Sequence, residues 1–430
     1  MAWMNSLLLR SWPTDPHLRR ERLAAAISAE RFSLLQKVAD DAAACGLPLY
    51  IVGGFVRDLL LGHPGVDLDL VIEGDAPGLA RALAAKHGGK VTVHTRFKTA
   101  QWFPPPAVDL PEFVDFISAR SETYPHPGAL PKVSPGTLND DLRRRDFTIN
   151  TLALRLDGDH FGELRDDLGG LDDLRGGIIR VLHPHSFVDD PTRILRAVRY
   201  EQRYGFRIAP ETLALIPEAL PLITRLSAER VRHELDLILE EENAAAMLRR
   251  LAELEVLAKV HPRLTWNQSI RKRFEKVQEA SPATRRSILW TLWLIHLTSG
   301  GFEEIESRLH FHANLRDEIL AASTLFAGAD SLIGKMPSQC VGMLENKPLR
   351  AVQAVTLALP PGPVRQQLRN FLEHWRHVNP YTTGRTLVKR GLPPGPAYQK
   401  ILGVLRDAWL DEEIKTEAEE MDLLEKLIKA

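Results

Sequence analysis

The sequence predicts an α+β fold, a small mixed β-sheet head followed by an elongated, all-helical remainder, and three features of its 430 residues predict it. Up to about residue 182, short apolar or alternating runs suited to strands are interleaved with helical segments. A glycine pair, Gly53-Gly54, separates the first such strand from the helix after it. Beyond residue 182 the apolar positions recur at helical spacing to the C-terminus, with no repeat of fixed period.

Residues 17 to 45 carry Leu23, Ala26, Ile27, Phe32, Leu35, Val38 and Ala42 at helical spacing before Gly46-Leu47-Pro48 stops the run, which predicts one helix. A strand follows over 49–52, then the glycine turn, a short helix over 55–61 and a strand over 66–73. In that strand Asp67 and Asp69 alternate with Leu68, Leu70 and Ile72. A helix is expected over 76–87, and strands over 90–94, 99–103 and 112–117. From 118 to 136 the composition shifts to Pro, Gly, Ser and Tyr without periodicity, which predicts a long loop of the functional kind. Residues 147 to 154 read as helical, and 178–182 as the last strand. Breaks near Pro210, Pro262, Gly300-Gly301, Lys347-Pro348, Pro360 to Pro363 and Gly391 to Pro396 partition the helices. The division expected is a head over 1–182, a neck over 183–255, a body over 256–346 and a tail over 347–430.

The composition, 44% hydrophobic and 26% charged, is globular and excludes collagen-like or wholly disordered chains. With 55 Lys+Arg against 56 Asp+Glu the net charge is −1, so a nucleic-acid partner would have to be met by a local patch. Of those cations 40 are arginines, whose planar fork suits bidentate contact with phosphates. Cys45 and Cys340, far apart, exclude a cysteine-rich zinc module and give no disulfide framework, which points to a reducing cytoplasm. The apolar run Ser6-Leu7-Leu8-Leu9, followed by Arg10, is too short for a signal core, and the one over 287–297, about three helical turns, is too short to span a membrane.

The chemistry concentrates in Gly53-Gly54-Phe55-Val56-Arg57-Asp58 followed by Asp67-Leu68-Asp69. Two glycines between strand and helix let backbone approach phosphates closely. Strand alternation puts Asp67 and Asp69 on one face about 7 Å apart, where paired carboxylates can share divalent metals. Asp115, on the apolar run Phe113 to Ile117, suits a third carboxylate on a neighbouring strand. Arg193, Arg196, Arg199 and Arg203 fall within an arc of about 120° if each residue advances about 100°, a basic stripe suited to facing RNA. Asp190 precedes Pro191 and makes a natural N-cap. Trp290, Trp293 and Leu294 at helical spacing read as core. His183, His185 and Asp189 match no zinc spacing.

Taken together, Gly53-Gly54-x-Val56-Arg57-Asp58 with Asp67-x-Asp69, Arg144-Arg145-Asp146-Phe147-x-x-Asn150 and Asp189-Asp190-x-x-Arg193-x-x-Arg196 resemble the class II tRNA nucleotidyltransferase and bacterial poly(A) polymerase family of the polymerase-β superfamily. Weaker similarity returns at Thr383-Gly384-Arg385 and Gly391 to Pro396. The resemblance implies that Asp67, Asp69 and Asp115 hold two Mg²⁺ for in-line attack of an RNA 3′-hydroxyl on the α-phosphorus of ATP or CTP, releasing pyrophosphate. It implies that Gly53, Gly54, Arg57, Arg144, Arg145, Asp146 and Arg196 meet the nucleotide and its phosphates, and that Asn150 reaches a ribose hydroxyl. Asp190 and Arg193 would present a protein template to the base, with Asp189 standing where the family commonly has Glu. Arg199, Arg203, Arg385 and Lys389 would contact tRNA, the expected partner. The reaction expected is addition of C, C and A, or part of that triplet, to tRNA. An A-only or CC-only enzyme, a poly(A) polymerase, a catalytically silent RNA-binding relative and a small-molecule nucleotidyltransferase are the alternatives.

Overall fold

The structure, a computed structural model, describes residues 12–62, 68–123, 132–277 and 281–429. It divides into two compact units. One comprises the described residues up to Ser227 together with Glu253–Lys259, and the other comprises Ala228–Ala252 and the described residues from Val260 onward.

The first unit opens with two helices, α1 (Pro16–Ala24) and α2 (Ala29–Ala44), where the sequence suggested one. Ser28 divides them, because its hydroxyl caps α2 by accepting from Arg31 N. Strand β1 (Leu49–Val52) and helix α3 (Gly54–Leu60) follow, then β2 (Asp69–Ile72), α4 (Ala76–His87), β3 (Lys90–His94), β4 (Thr99–Phe103) and β5 (Val114–Ser118). The expected limits hold for β1, α4, β3 and β4, and Gly53, Gly88 and Pro104 follow directly on β1, α4 and β4.

Three further expectations fail, one being that the strand expected last, over 178–182, spans only Ile178–Ile179 and is followed by another, Arg207–Ile208. The segment expected to be a loop over 118–136 contains a β-ribbon, β6 (Arg120–Thr123) paired antiparallel with β7 (Lys132–Pro135). Its strands are short, polar and outside the main sheet, so no apolar alternation announces them. Residues 147 to 154 are not an α-helix but a single 3₁₀ turn, Thr148–Asn150, leading into β8 (Ala153–Arg155). There the Thr151 hydroxyl donates to the Thr148 carbonyl, and β1 recruits Ala153, Leu154 and Arg155 as a sheet neighbour. Between ribbon and turn lies α5 (Leu138–Arg143), opened by a Thr137–Asp140 capping box.

After β9 (Glu163–Arg165) come α6 (Gly170–Gly176), β10 (Ile178–Ile179), α7 (Ser186–Asp189), α8 (Thr192–Tyr204) and β11 (Arg207–Ile208), which pairs parallel with β10. The main sheet is mixed, in the order β3-β4-β5-β2-β1-β8-β9. On one face Tyr50, Val52, Val71 and Ala153 pack with Leu138 and Leu142 of α5. Helix α4 packs against β3, β4 and β5, and α2 against β1.

Among its described residues the elements of the second unit are all helices. Helix Pro282–Leu294 buries Trp290 and Trp293 completely, their indoles donating to Asp236 and to the Thr265 carbonyl, so both tryptophans are core. A second core gathers Cys340, Val341, Val352, Val355, Leu368 and Phe371. Near the C-terminus Leu387, Ile401, Leu405 and Leu424 form a third. No helix among the described residues is long and apolar enough to cross a membrane.

Candidate active site

The parallel pairing of β2 with β5 sets Asp69 directly beside Asp115. Paired residues on adjacent strands project to the same face, about 4.8 Å apart in backbone, so two of the three sequence-selected carboxylates stand together. They share the face of Val71 and Ile117, the one α5 covers further along. Asp69 is exposed and Asp115 half-buried, whereas the adjoining Leu70 and Phe116 are fully buried in the core. Asp67 lies outside the described residues.

Strand β1 pairs antiparallel with β2, and one step along that register brings its last residue, Val52, beside Asp69. Gly53 then turns the chain with φ +72°, a conformation that disfavours any side chain. A Cβ there would also lie 2.6 Å from Arg145 Nη1. The guanidinium of Arg145 is thus laid over the glycine turn. Its Nη2 donates to Asp141, but its buried Nε has no hydrogen-bond partner among the described residues. A guanidinium whose terminal nitrogen lies against a bare glycine can meet an anionic ligand there.

Arg144 is committed on both sides. It donates from Nε and Nη2 to Asp141 Oδ1 at 2.9 and 2.7 Å, and from Nη1 to Glu122 of the ribbon at 3.2 Å. Glu122 also accepts from Arg120. The Arg144 carbonyl accepts from Arg193 Nη2 at 2.8 Å, and Arg193 Nη1 donates to the Ser186 hydroxyl at 2.6 Å.

Arg57 differs from expectation. It is 4% exposed, pairs bidentately with Asp58 at 2.9 Å, donates to Asn150 Oδ1 at 2.5 Å and lies over the rings of Tyr200 and Tyr204. Burial works against its charge, but Asp58 and the two tyrosines hold its pKa above the usual arginine value. Burial pushes the Tyr204 phenol up as well, and its hydroxyl donates to Asp58. Asn150, expected at a ribose, spends its amide within the protein: Oδ1 takes Arg57 and Nδ2 donates to Asp146 at 2.8 Å. Asp146 accepts in turn from Arg196 Nε at 2.8 Å. Burial alone would raise the Asp146 pKa, but the Arg196 charge, hydrogen bonds from Asn150 and Arg196, and the nearby Arg193 charge bring it down to about 2.

The arginine stripe of α8 therefore turns inward. Arg193 and Arg199 are each 6% exposed and Arg196 is engaged with Asp146; only Arg203 is exposed. The regular spacing suits an outer face, but the groups that engage Arg193 and Arg196, namely Asp146, Ser186 and the Arg144 carbonyl, come from elsewhere in the chain. In the second unit Arg385 and Lys389 are exposed on helix Gly384–Lys389.

The N-cap of α8 is Pro191, one residue later than expected, and Asp190 just before it satisfies the first helical N–H, its Oδ1 accepting from Thr192 N at 3.0 Å and from the Thr192 hydroxyl at 2.6 Å. Beside it opens a cleft of about 180 Å³ lined by Ser121, Glu122, Asp140, Arg143, Arg144, His183, Asp189 and Arg193. Glu122 and His183 as parts of this constellation escaped the sequence reading. A ribbon strand opposite a basic helix end would have been the signal, and the ribbon itself was not foreseen.

Comparison with known proteins matches residues 49–180 to the poly A polymerase head domain, and residues 205–266 to the probable RNA- and SrmB-binding site of polymerase A. The A-adding tRNA nucleotidyltransferase of Halalkalibacterium halodurans is 34% identical over 390 residues, 87% of this chain and 88% of that protein. The CC-adding tRNA nucleotidyltransferase of Deinococcus radiodurans is 44% identical over 195 residues, 45% of this chain and 50% of that protein. Of the A-adding enzymes from Geobacter sulfurreducens and Aquifex aeolicus the matches cover 46% and 28%, so the chain spans less than half of those relatives. The structure of the Thermotoga maritima CCA-adding enzyme complexed with tRNA superposes with TM-score 0.74 at 29% identity, covering 95% of this chain and 97% of that one.

Proposed function

The chain belongs to the class II tRNA nucleotidyltransferase and bacterial poly(A) polymerase family, and from that premise we propose that it adds the terminal A to tRNA 3′ ends, from ATP. The single observation that carries the nucleotidyl-transfer reading is the pairing of Asp69 with Asp115 beside the Gly53 turn. The choice of A is supported by the A-adding relative that the chain matches over most of both lengths. Full CCA addition, with CTP as a further substrate, is the second reading, favoured by the likeness to the CCA-adding enzyme over 95% of the chain.

Hard carboxylate oxygens on neighbouring strands fit Mg²⁺, and Asp69 and Asp115, with Asp67, are the residues that would hold it. When bound, the metal supplies Lewis acidity to the attacking hydroxyl and the triphosphate. The rest falls to the protein. Arg145, whose Nη1 lies over Gly53, offers charge to the triphosphate. Arg193 and Asp189 line the cleft for the base, and Asp190 adjoins it in sequence. Arg57, Asn150, Asp146 and Arg196 act as positioning residues that hold the glycine turn against α8. Exposed Arg203, Arg385 and Lys389 are proposed tRNA backbone contacts. The division into head, neck, body and tail and a cytoplasmic location belong to the same proposal.

The test is extension of tRNA ending in N, NC or NCC with each labelled nucleotide, resolved on a gel. Labelling of the NCC substrate alone, by ATP alone, supports A addition. Stepwise growth from N through NCCA supports the second reading, and long A tails would replace both with a poly(A) polymerase.

A further inference from the structure

The cleft between the ribbon foot and α8 holds more hydrogen-bonding groups than the template residues account for. Arg193 has both Nη atoms occupied, and Asp190 Oδ1 is taken by its cap. His183 and Asp189 differ from them. Both line the cleft, with side chains 37% and 29% exposed, and their nearest polar atoms, Nε2 and Oδ2, are 3.9 Å apart, beyond hydrogen-bond length. Neither side chain makes a hydrogen bond to another described residue. Two neighbouring groups with unspent capacity, facing one cleft beside a buried arginine, suit a planar ligand edge that bridges them.

We propose that His183 is a specificity-determining residue which, with Asp189, reads the amino edge of the incoming nucleobase. The proposal rests on the cleft being the nucleotide site. A carboxylate only accepts, so Asp189 admits the exocyclic amine of adenine or cytosine and disfavours the carbonyl that guanine or uracil carries there. The unprotonated nitrogen of His183 accepts in the same way. Burial first, then the charges of Arg193 and His185, lower the His183 pKa, while Asp189 opposes them. Glu122 and Asp140 from the ribbon and α5, and Arg143 and Arg144 from α5 and its end, complete the charges facing this cleft. The net effect favours the neutral ring. Protonation as the pH falls below its ordinary range turns it into a donor only, which removes the acceptor for an amine and favours a carbonyl.

The test compares the full chain with His183→Ala and His183→Gln by the affinity for ATP and for GTP, measured by titration calorimetry from pH 5.5 to 8, with melting temperature alongside. The wild type should prefer ATP, and the preference should fall on acidification. His183→Ala should reduce the preference at pH 7.5 by about tenfold and remove its dependence on pH, without a matching loss of melting temperature. His183→Gln, which accepts without ionising, should recover most of the preference and keep it flat with pH. A preference equal in wild type and His183→Ala, with the same pH dependence, overturns the proposal, as does a wild type that does not favour ATP. Transfer to tRNA, assayed in parallel, separates this outcome from failure of the enzymatic reading, because binding preference is read without it.

Discussion

Arg57 donates to Asn150 at 2.5 Å, and through that amide the helix after the glycine turn is joined to Asp146 and Arg196 elsewhere in the first compact unit. The chain Asp58, Arg57, Asn150, Asp146, Arg196 is buried or half-buried along its length, so each link holds only while the next is charged or hydrogen-bonded. Asp146 is the sensitive one. Its folded pKa, about 2, lies below the ordinary 3.8. The stabilisation is therefore fully present above the unfolded value and is lost as the pH falls through the folded one, about 2 kcal/mol in all. Asp146→Asn should destabilise the head by a similar amount at pH 7 in urea unfolding. The gap from wild type should narrow between pH 4 and pH 2, and a gap independent of pH would place the effect elsewhere.

The two glycines of the turn separate into different roles. Gly53 combines φ +72° with a 2.6 Å approach of Arg145 to any added Cβ, whereas at Gly54 the nearest atom, Arg57 Nη2, is 3.5 Å away, an ordinary contact. Gly53→Ala should cost about 1–3 kcal/mol of stability through backbone strain and should displace Arg145, raising KM for the nucleotide. Gly54→Ala should fold normally. Equal behaviour of the two in melting and in KM would remove the special role of Gly53.

Asp69→Ala and Asp115→Ala should each abolish transfer while leaving tRNA affinity within a few-fold, because carboxylates that serve the transition state contribute little to ground-state grip. Turnover measured with tRNA and ATP, beside a filter-binding curve, checks this. Residual turnover in Asp115→Ala with none in Asp69→Ala would leave Asp69 in the metal site and take Asp115 out of it.

What the sequence disclosed about this site follows from physical range. Asp69 and Asp115 were legible because strand alternation and an apolar run fix which way a side chain points, and the pairing of β2 with β5 then needed only the sheet to form. Arg57 and Asn150 were identified as important but given outward roles, because their partners, Asp58, Tyr200 and Tyr204 for one and Arg57 with Asp146 for the other, depend on tertiary packing. The stripe on α8 shows the same limit: 3.6-residue spacing says that Arg193, Arg196 and Arg199 share a face, and only packing says that the face is inside. The β-ribbon went unseen because polar residues such as Arg120, Ser121 and Glu122 carry no burial signal.

Asp190 can be divided between its two uses. As a cap for Thr192 it should contribute about 0.5–2 kcal/mol, so Asp190→Ala lowers the melting temperature. If it also borders the base, the variant loses discrimination among ATP, CTP, GTP and UTP, since a hydrogen-bonding site rejects wrong partners by leaving polar groups unpaired. Lower melting with unchanged nucleotide preference would leave only the cap.

Glu122 connects the ribbon to the site. Its carboxylate, 6% exposed, bridges Arg120 on its own strand to Arg144, whose carbonyl is in turn held by Arg193. A change in the ribbon can therefore reach the base cleft through one ion pair and one hydrogen bond. Glu122→Ala should leave Arg144 with Asp141 alone, loosen the cleft wall and raise KM for the nucleotide several-fold, with a smaller fall in kcat. Replacing 124–131 by a short Gly-Ser link keeps Glu122 and tests the ribbon separately. If the ribbon governs the terminal A, that deletion abolishes A addition to tRNA ending in CC while sparing any C addition. If it shares the effect of Glu122→Ala on KM and touches both activities equally, its part is to brace Arg144. The double variant decides between independent and shared action: a KM no worse than that of either single change means that ribbon and ion pair act as one device.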